Sequence, residues 1–245
     1  MTTPRARRRQ EIETDVLRLG RAQLAQVGAA ALSVRAIARD LGLASSAVYR
    51  YVASRDELLT RLVVAAYTEL ADAVEAAVAG HDGPPGERLR TALRAYRAWA
   101  VAHPADFSLL YGSPVPGYDA PAERTTPPGI RVIGLLLGLL SEAADSAPAD
   151  GPDPDLPAPL HDELRAVADE FGADLDDAAL IAGLALWTWL IGAVGQEVTG
   201  GFGDTTFADP AAIFDAQLDR QASAALRAAR RPARPSPSPS PDSAR

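Results

Sequence analysis

Three histidines, His81, His103 and His161, are the natural places to look for acid–base or metal chemistry in a chain of 245 residues that has no cysteine. Nucleophilic catalysis needs a thiol, or a hydroxyl activated by a base. None of the three has such a partner in sequence, and there is no Gly-x-Ser-x-Gly elbow or glycine-rich phosphate loop near them. His161-Asp162-Glu163 and Asp174-Leu175-Asp176-Asp177 contain metal-capable side chains. The first lacks a second histidine at helical spacing, and the second has the acidic character of a helix N-terminus, where the backbone dipole favours negative charge. No catalytic residue, metal site or cofactor is expected. What remains able to do chemistry is a set of arginines, serines and a tyrosine near the N-terminus, suited to phosphate and base edges rather than to bond-making.

The charge distribution supports that choice. The net charge is −8, which taken alone argues against a nucleic-acid partner. Residues 1–61, however, hold eleven arginines and six acids, a balance of +5. Residues 62–219 hold seven arginines and twenty-five acids, a balance of −18, and residues 220–245 return to +5. A basic head on an acidic body points to two modules with different partners. Without cysteine there is no disulfide or thiol sensor.

The elements that position these residues are helices. Ile12, Val16, Leu19, Gln23 and Val27 recur at helical spacing, and Gly28 closes that helix. Ser33 can cap a short second helix to about Asp40, Gly42 breaks it, and a third short helix is expected through about Val52. Ser54-Arg55-Asp56-Glu57 reads as a capping box opening a long helix that ends near Gly80. Further helices are expected at about 86–102, 104–112, 127–147, 159–171, 174–200 and 209–230. Loops are expected from Gly112 to Pro128, Pro148 to Pro159 and Gly200 to Asp209. The fold class is therefore all-α. Residues 231–245, alternating proline and serine, read as a disordered tail.

The charged N-terminus has no apolar core of a secretory signal. Ala178 to Gly195 is eighteen residues without charge, but it is rich in alanine and glycine and flanked by Asp176, Asp177 and Glu197. It reads as a buried helix or a subunit contact rather than a membrane span, so a soluble cytoplasmic protein is expected.

Residues 34–53 have the layout of a helix-turn-helix. Ile37, Leu41, Val48 and Tyr51 are spaced to share a core, Ala38 is small where the helices cross, and Gly42 supplies the turn. Such a pair can place its second helix in a major groove. The same pattern also fits a plain helical hairpin. It is the run from Ile37 to Leu59, IARDLGLASSAVYRYVASRDELL, that resembles the DNA-binding signature of TetR/AcrR-type transcriptional regulators. Trp99…His103-Pro104…Phe107…Leu110-Tyr111-Gly112 and Trp187…Gly192…Glu197 resemble members with a WHG-like C-terminal domain, although Leu190 or Ile191 stands where that label's histidine would fall.

The resemblance implies a three-helix DNA-binding head, residues 1–54, and a helical ligand-binding and dimerisation body, residues 55–230. It implies that Ser33 and Arg35 approach the DNA backbone, that Ser45, Ser46 and Ala47 face base edges, and that the Tyr49 hydroxyl meets a phosphate. Arg50 would reach a phosphate or a guanine edge, and Arg55, where lysine is usual, another phosphate. Arg7, Arg8 and Arg9 form a basic arm that either lies in a minor groove or is solvated. Two positions depart from the family pattern. Ala44 replaces a common serine, leaving the third helix to be capped otherwise, by Ser45 for instance, and Val52 replaces a phenylalanine.

For the body, the resemblance implies an effector pocket among the middle helices. Trp99, His103, Phe107, Tyr111, Tyr118 and Trp187 are its candidate lining, or else ordinary core aromatics. An apolar or aromatic effector would suit them. The 178–195 helix, with Phe214, Gln217, Leu218, Gln221 and Ala225, would form a four-helix homodimer contact whose two-fold axis matches a palindromic operator. The expected function is a ligand-responsive repressor. The competing reading is an all-α binding protein or enzyme with a vestigial helix-turn-helix.

Overall fold

A computed structural model describes residues 3–144, 156–203 and 205–229. Eleven α-helices and one 3-10 turn make up the described residues, with no strand among them. The tail expected at 231–245 and the ends of the helices expected to reach 147 and 230 lie outside the described residues.

Helix α1, Pro4–Val27, opens with Thr3 accepting the Ala6 amide at 3.3 Å and closes at Gly28, whose φ of 74° is cheap only for glycine. A 3-10 turn, Ala29–Ala31, leads to α2, Val34–Asp40, capped by the Ser33 hydroxyl on the Ala36 amide at 3.3 Å. Gly42, at φ 65°, turns the chain into α3. Here α3, Ser45–Val48, is shorter than expected. Its end tightens into turns in which the Arg50 and Tyr51 amides bond the carbonyls three residues back, at 3.3 and 2.8 Å. No side chain caps α3 at Ala44, so Ser45 does not take over that role.

Helix α4, Arg55–Ala79, is the long strut. Ser54 accepts the Glu57 amide at 3.0 Å as expected, but only half of the capping box forms. The Glu57 carboxylate is held instead by Arg61 at 2.6 Å and Arg124 at 2.6 Å. That engagement, led by the Arg124 hydrogen bond, holds its pKa below the ordinary value against the opposing effect of burial.

The body continues with α5, Pro85–Ala102, α6, Pro104–Tyr111, α7, Ala122–Gly129, and α8, Arg131–Ala144. It is completed by α9, Ala158–Phe171, α10, Asp177–Val198, and α11, Pro210–Ala228. The loop expected from Gly112 to Pro128 contains α7, although Pro127 and Pro128 lie inside it. Two prolines cost a helix its interior N–H bonds, so local preference argued against one. Packing against α4 outweighs that cost. Arg124 reaches Glu57, Thr125 is buried and bonds the Pro121 carbonyl at 3.0 Å, and Gly129 lies against the Tyr67 ring.

Two apolar clusters result. The head cluster runs from Ile12 through Ile37, Val48 and Val52 to Leu58, Leu59 and Leu62; the body cluster begins at Ala66. The packing changes hands inside α4, between Leu62 and Ala66, so one helix contributes to both clusters. Leu109, Val115 and Tyr118 from the body pack on the head cluster.

Ala122–Ala144 and Asp177–Val198 are long and apolar enough to cross a membrane by length and composition. Within the fold, α10 buries Leu180, Leu186, Leu190 and Val194 on one side. The 178–195 helix is thus half-buried, and its other side carries exposed Ile181 and Leu184.

Candidate nucleic-acid interface and effector region

Helices α2 and α3 are short and nearly featureless apart from a buried edge, Val34, Ile37, Ala38 and Val48, which leaves the opposite side free. Arg35, Ser45, Ser46, Tyr49 and Arg50 are all exposed there, and Ala47 is half-buried. Tyr49 is 41% exposed, so its ring and hydroxyl are free to meet a partner on that side. The remaining two candidates have structural duties. Ser33 caps α2, and its own N–H donates to the Gln23 side chain at 3.0 Å. Arg55 donates through Nη2 to the carbonyls of Ala29 at 3.0 Å and Ala30 at 3.1 Å, closing the 3-10 turn that positions α2.

The aromatic residues of the body divide in two. Phe107, Tyr111 and Trp187 come together, with Phe107–Tyr111 centroids at 5.2 Å and Tyr111–Trp187 at 6.2 Å. Two residues missed from sequence complete the group. Tyr96 lies 5.8 Å from Trp187 and 6.4 Å from Phe107, and Tyr67 lies 6.1 Å from Tyr111. Their signal was available: Tyr96 falls three residues before Trp99 on α5, and Tyr67 is in phase with Leu70 and Val74 on α4. Burial, chiefly, pushes the Tyr67, Tyr96 and Tyr111 phenols above their ordinary pKa, so these hydroxyls stay protonated. Tyr67, Tyr111 and Trp187 are half-buried.

Trp99 and His103 stack at 5.1 Å beside this group, and His103 Nδ1 lies 2.8 Å from the Trp99 carbonyl at the α5–α6 corner. Tyr118 is elsewhere: its hydroxyl bonds Thr60 at 3.0 Å on the head side of α4. A cleft of about 710 Å3, bordered by Leu24 and Val27 of α1 and Ala105 and Leu109 of α6, contains none of the candidate aromatics.

Helix α6 connects the aromatic group to the head. Phe107 faces the rings, while its neighbour Asp106, 7% exposed, lies 3.4 Å from Arg21 of α1, which also pairs with Glu69 of α4 at 2.7 Å. Burial raises the Asp106 pKa, with Glu69 adding to the rise and Arg21 and His103 opposing it. A carboxyl with a raised folded-state pKa binds more protons folded than unfolded, so its contribution falls as pH rises from the unfolded value towards the folded one. Asp106→Asn, which keeps the shape and removes that charge, is expected to raise the melting temperature by a few degrees at pH 7.5 and by less at pH 4.5. A lower melting temperature at pH 7.5 would mean that the Arg21 pair outweighs the burial cost.

Three of the residues expected at a dimer contact on α11 are taken up by the chain's own core. Phe214, Leu218 and Ala225 are buried within the chain itself, 4%, 0% and 2% exposed, and so cannot present a subunit face. Their apolar phase marks the core side of α11, and the outward side carries Ala212, Ala216, Gln217 and Arg220. On α10, Ile181, Leu184, Ala185 and Thr188 lie outward. The acids read as a helix start do serve as one: Asp176 accepts the Ala179 amide at 2.8 Å, and Asp177 pairs with His161 at 2.6 Å.

Comparison with known proteins agrees with this architecture. Residues 16–62 match the family model described as bacterial regulatory proteins, tetR family, and residues 89–221 match the Tetracyclin repressor-like, C-terminal domain. The HTH-type transcriptional regulator Rv1816 of Mycobacterium tuberculosis is 45% identical over 213 residues, spanning 85% of this chain and 90% of the relative. The regulator Mb1846 of Mycobacterium bovis matches to the same extent. Among solved structures, the regulatory protein SCO4313 superposes with a TM-score of 0.72 at 32% identity, covering 89% of this chain and 98% of that one. A Rhodococcus sp. RHA1 protein, 20% identical with a TM-score of 0.64 over 88% of this chain and 94% of that one, shares the fold. With both halves matched and a relative of this identity over nearly its full length, the chain belongs to the TetR family of transcriptional regulators.

Proposed function

We propose that the chain is a ligand-responsive repressor that binds a palindromic operator as a homodimer in the cytoplasm and leaves it when a small molecule occupies the body. The observation that carries the DNA-reading role is the exposed group Ser45, Ser46, Tyr49 and Arg50 on the α3 segment, backed by a buried edge that fixes its direction. Residues 1–54 act as the head and residues 55–230 as the body, joined through α4. The outward apolar side of α10, led by Leu184 at 55% exposure, supports a two-fold contact with a second copy. The ring group of Tyr67, Tyr96, Phe107, Tyr111 and Trp187 suits an apolar or aromatic effector. Such an effector releases DNA only if it binds the two head spacings unequally, and α6, touching both Phe107's rings and Arg21, is placed to couple them.

The test is binding of the full chain to a duplex from its own upstream region, against a scrambled duplex of equal length. Arg50→Ala is expected to weaken binding by about 1–3 kcal/mol, with relaxed preference between the duplexes where its fork meets a guanine edge and an equal loss on both where it meets a phosphate. Tyr49→Phe, which removes one hydroxyl, should cost about 0.5–1.5 kcal/mol equally on both duplexes. Absence of sequence-preferring, salt-dependent binding would sink the reading. Deleting the gene beside a reporter separates repressor, where expression rises, from activator, where it falls.

A further inference from the structure

The run Arg7-Arg8-Arg9 suggests a flexible basic arm, yet the structure makes it helix and divides its members. Thr3 and Pro4 start α1 upstream of the run, so Arg5 to Arg9 already occupy helical positions. Thr3, Arg5, Ala6, Arg8 and Arg9 then face Arg50 and Tyr51 across a cleft of about 510 Å3. Positions 5, 8 and 9 share one helix face by their i, i+3, i+4 spacing, and Arg7 is absent from the lining.

The four guanidinium groups around this cleft are available. Arg8 and Arg9 hold only intrahelical pairs, with Glu11 at 3.4 Å and Glu13 at 2.9 Å, and both arginines are more than half exposed. Exposed pairs of this kind contribute little and exchange readily for a better anion. Arg5 and Arg50 have no ion pair among the described residues. Like charges gathered around one opening repel each other, and a shared anion relieves that repulsion. Arginine forks match the oxygens of a phosphodiester, and Arg50 belongs to the segment that would read DNA.

We propose that this cleft holds a phosphate of the DNA backbone beside the groove entered by α3, so that the first turn of α1 acts as a rigid clamp in register with Arg50. The proposal rests on the DNA-binding reading above and adds Arg5, Arg8 and Arg9 to it as positioning residues. They fix where the head sits on the duplex without reading its sequence. An ordered helix turn loses less conformational freedom on binding than an extended arm would.

The test is the salt dependence of binding by the full-length chain between 50 and 200 mM salt, followed by fluorescence anisotropy on the upstream duplex and its scrambled control. Losing one phosphate contact lowers the slope of log affinity against log salt by about 0.9, equivalent to about a threefold change over this range. The Arg5→Ala and Arg8→Ala double variant is expected to show that decrease on both duplexes with the preference between them unchanged. Arg7→Ala removes the same charge one position away from the cleft-lining face and is expected to alter the slope by less than half as much as Arg5→Ala. Equal changes from Arg7→Ala and Arg5→Ala, or a wild-type slope in the double variant while the wild type still prefers its duplex, overturn the clamp alone. A wild-type chain with no preference overturns the clamp together with the DNA-binding reading.

Discussion

Arg97→Ala is expected to lower the melting temperature by about 10 °C, from the cost of leaving a largely desolvated carboxylate unpaired in a chain of this size. Arg97 on α5 holds Glu197 on α10 through two bonds, Nε to Oε2 at 2.7 Å and Nη2 to Oε1, with side chains only 19% and 14% exposed. Its guanidinium also sits 5.5 Å over the Phe214 ring of α11, which Trp189 stacks on at 5.4 Å from the other helix. One side chain therefore joins three helices, two of which carry the outward face proposed for dimerisation. Arg90–Asp219 at 3.1 Å and Arg94–Asp215 at 2.8 Å extend the same ladder along α5, but in more exposed surroundings that screen them. The double variant Arg97→Ala, Glu197→Gln should recover part of the loss, because the stranded charge is then gone. A single-variant shift below 2 °C, followed by circular dichroism at pH 7, would show that water reaches Glu197 freely.

Ile37→Ala is expected to destabilise the head by about 2–5 kcal/mol and to weaken DNA binding more than tenfold at 37 °C. Ile37 of α2 is fully buried in a cluster that includes Val48, Val52 and Leu58. That cluster is small, so a cavity there has few neighbours able to move in and fill it. The loss bears directly on the angle at which Tyr49 and Arg50 are presented. Retention of wild-type affinity would show that the head can repack around the missing atoms. Size-exclusion chromatography should show the oligomeric state unchanged, since α10 and α11 do not touch Ile37.

Much of this was legible in the amino-acid sequence. Four helices of the head and its junction followed from the apolar period begun by Ile12 and Val16, from the caps Ser33 and Ser54, and from glycines at 28 and 42 that sit at positive φ. The later part of that period is out of phase, since Leu24 is buried while Gln23 is half-buried and Val27 is 55% exposed. These are local signals, acting within a few residues, and the chain states them directly. The failures share a different origin. Helix α7 forms despite Pro127 and Pro128 because α4 lies against it, and the second half of the capping box is lost because Arg124 competes for Glu57 from 67 residues away.

What the sequence by itself determined is the helical class, the helix-turn-helix and the sign of charge on each module, all consequences of residue type and short spacing. Only the tertiary structure decided which face of each helix is left over for a partner. Phe214, Leu218 and Ala225 turn inward because α5 and α10 cover them, while Ile181 and Leu184 remain outside. Tyr118 joins Thr60 instead of the other rings. Three consecutive arginines separate into two that face Arg50 and one that does not. An apolar period records that a helix has a buried side and a cap records where it starts, but neither carries the direction from which another helix arrives. That direction depends on contacts between residues far apart in the chain, and it is what assigns each side chain to core, partner or DNA.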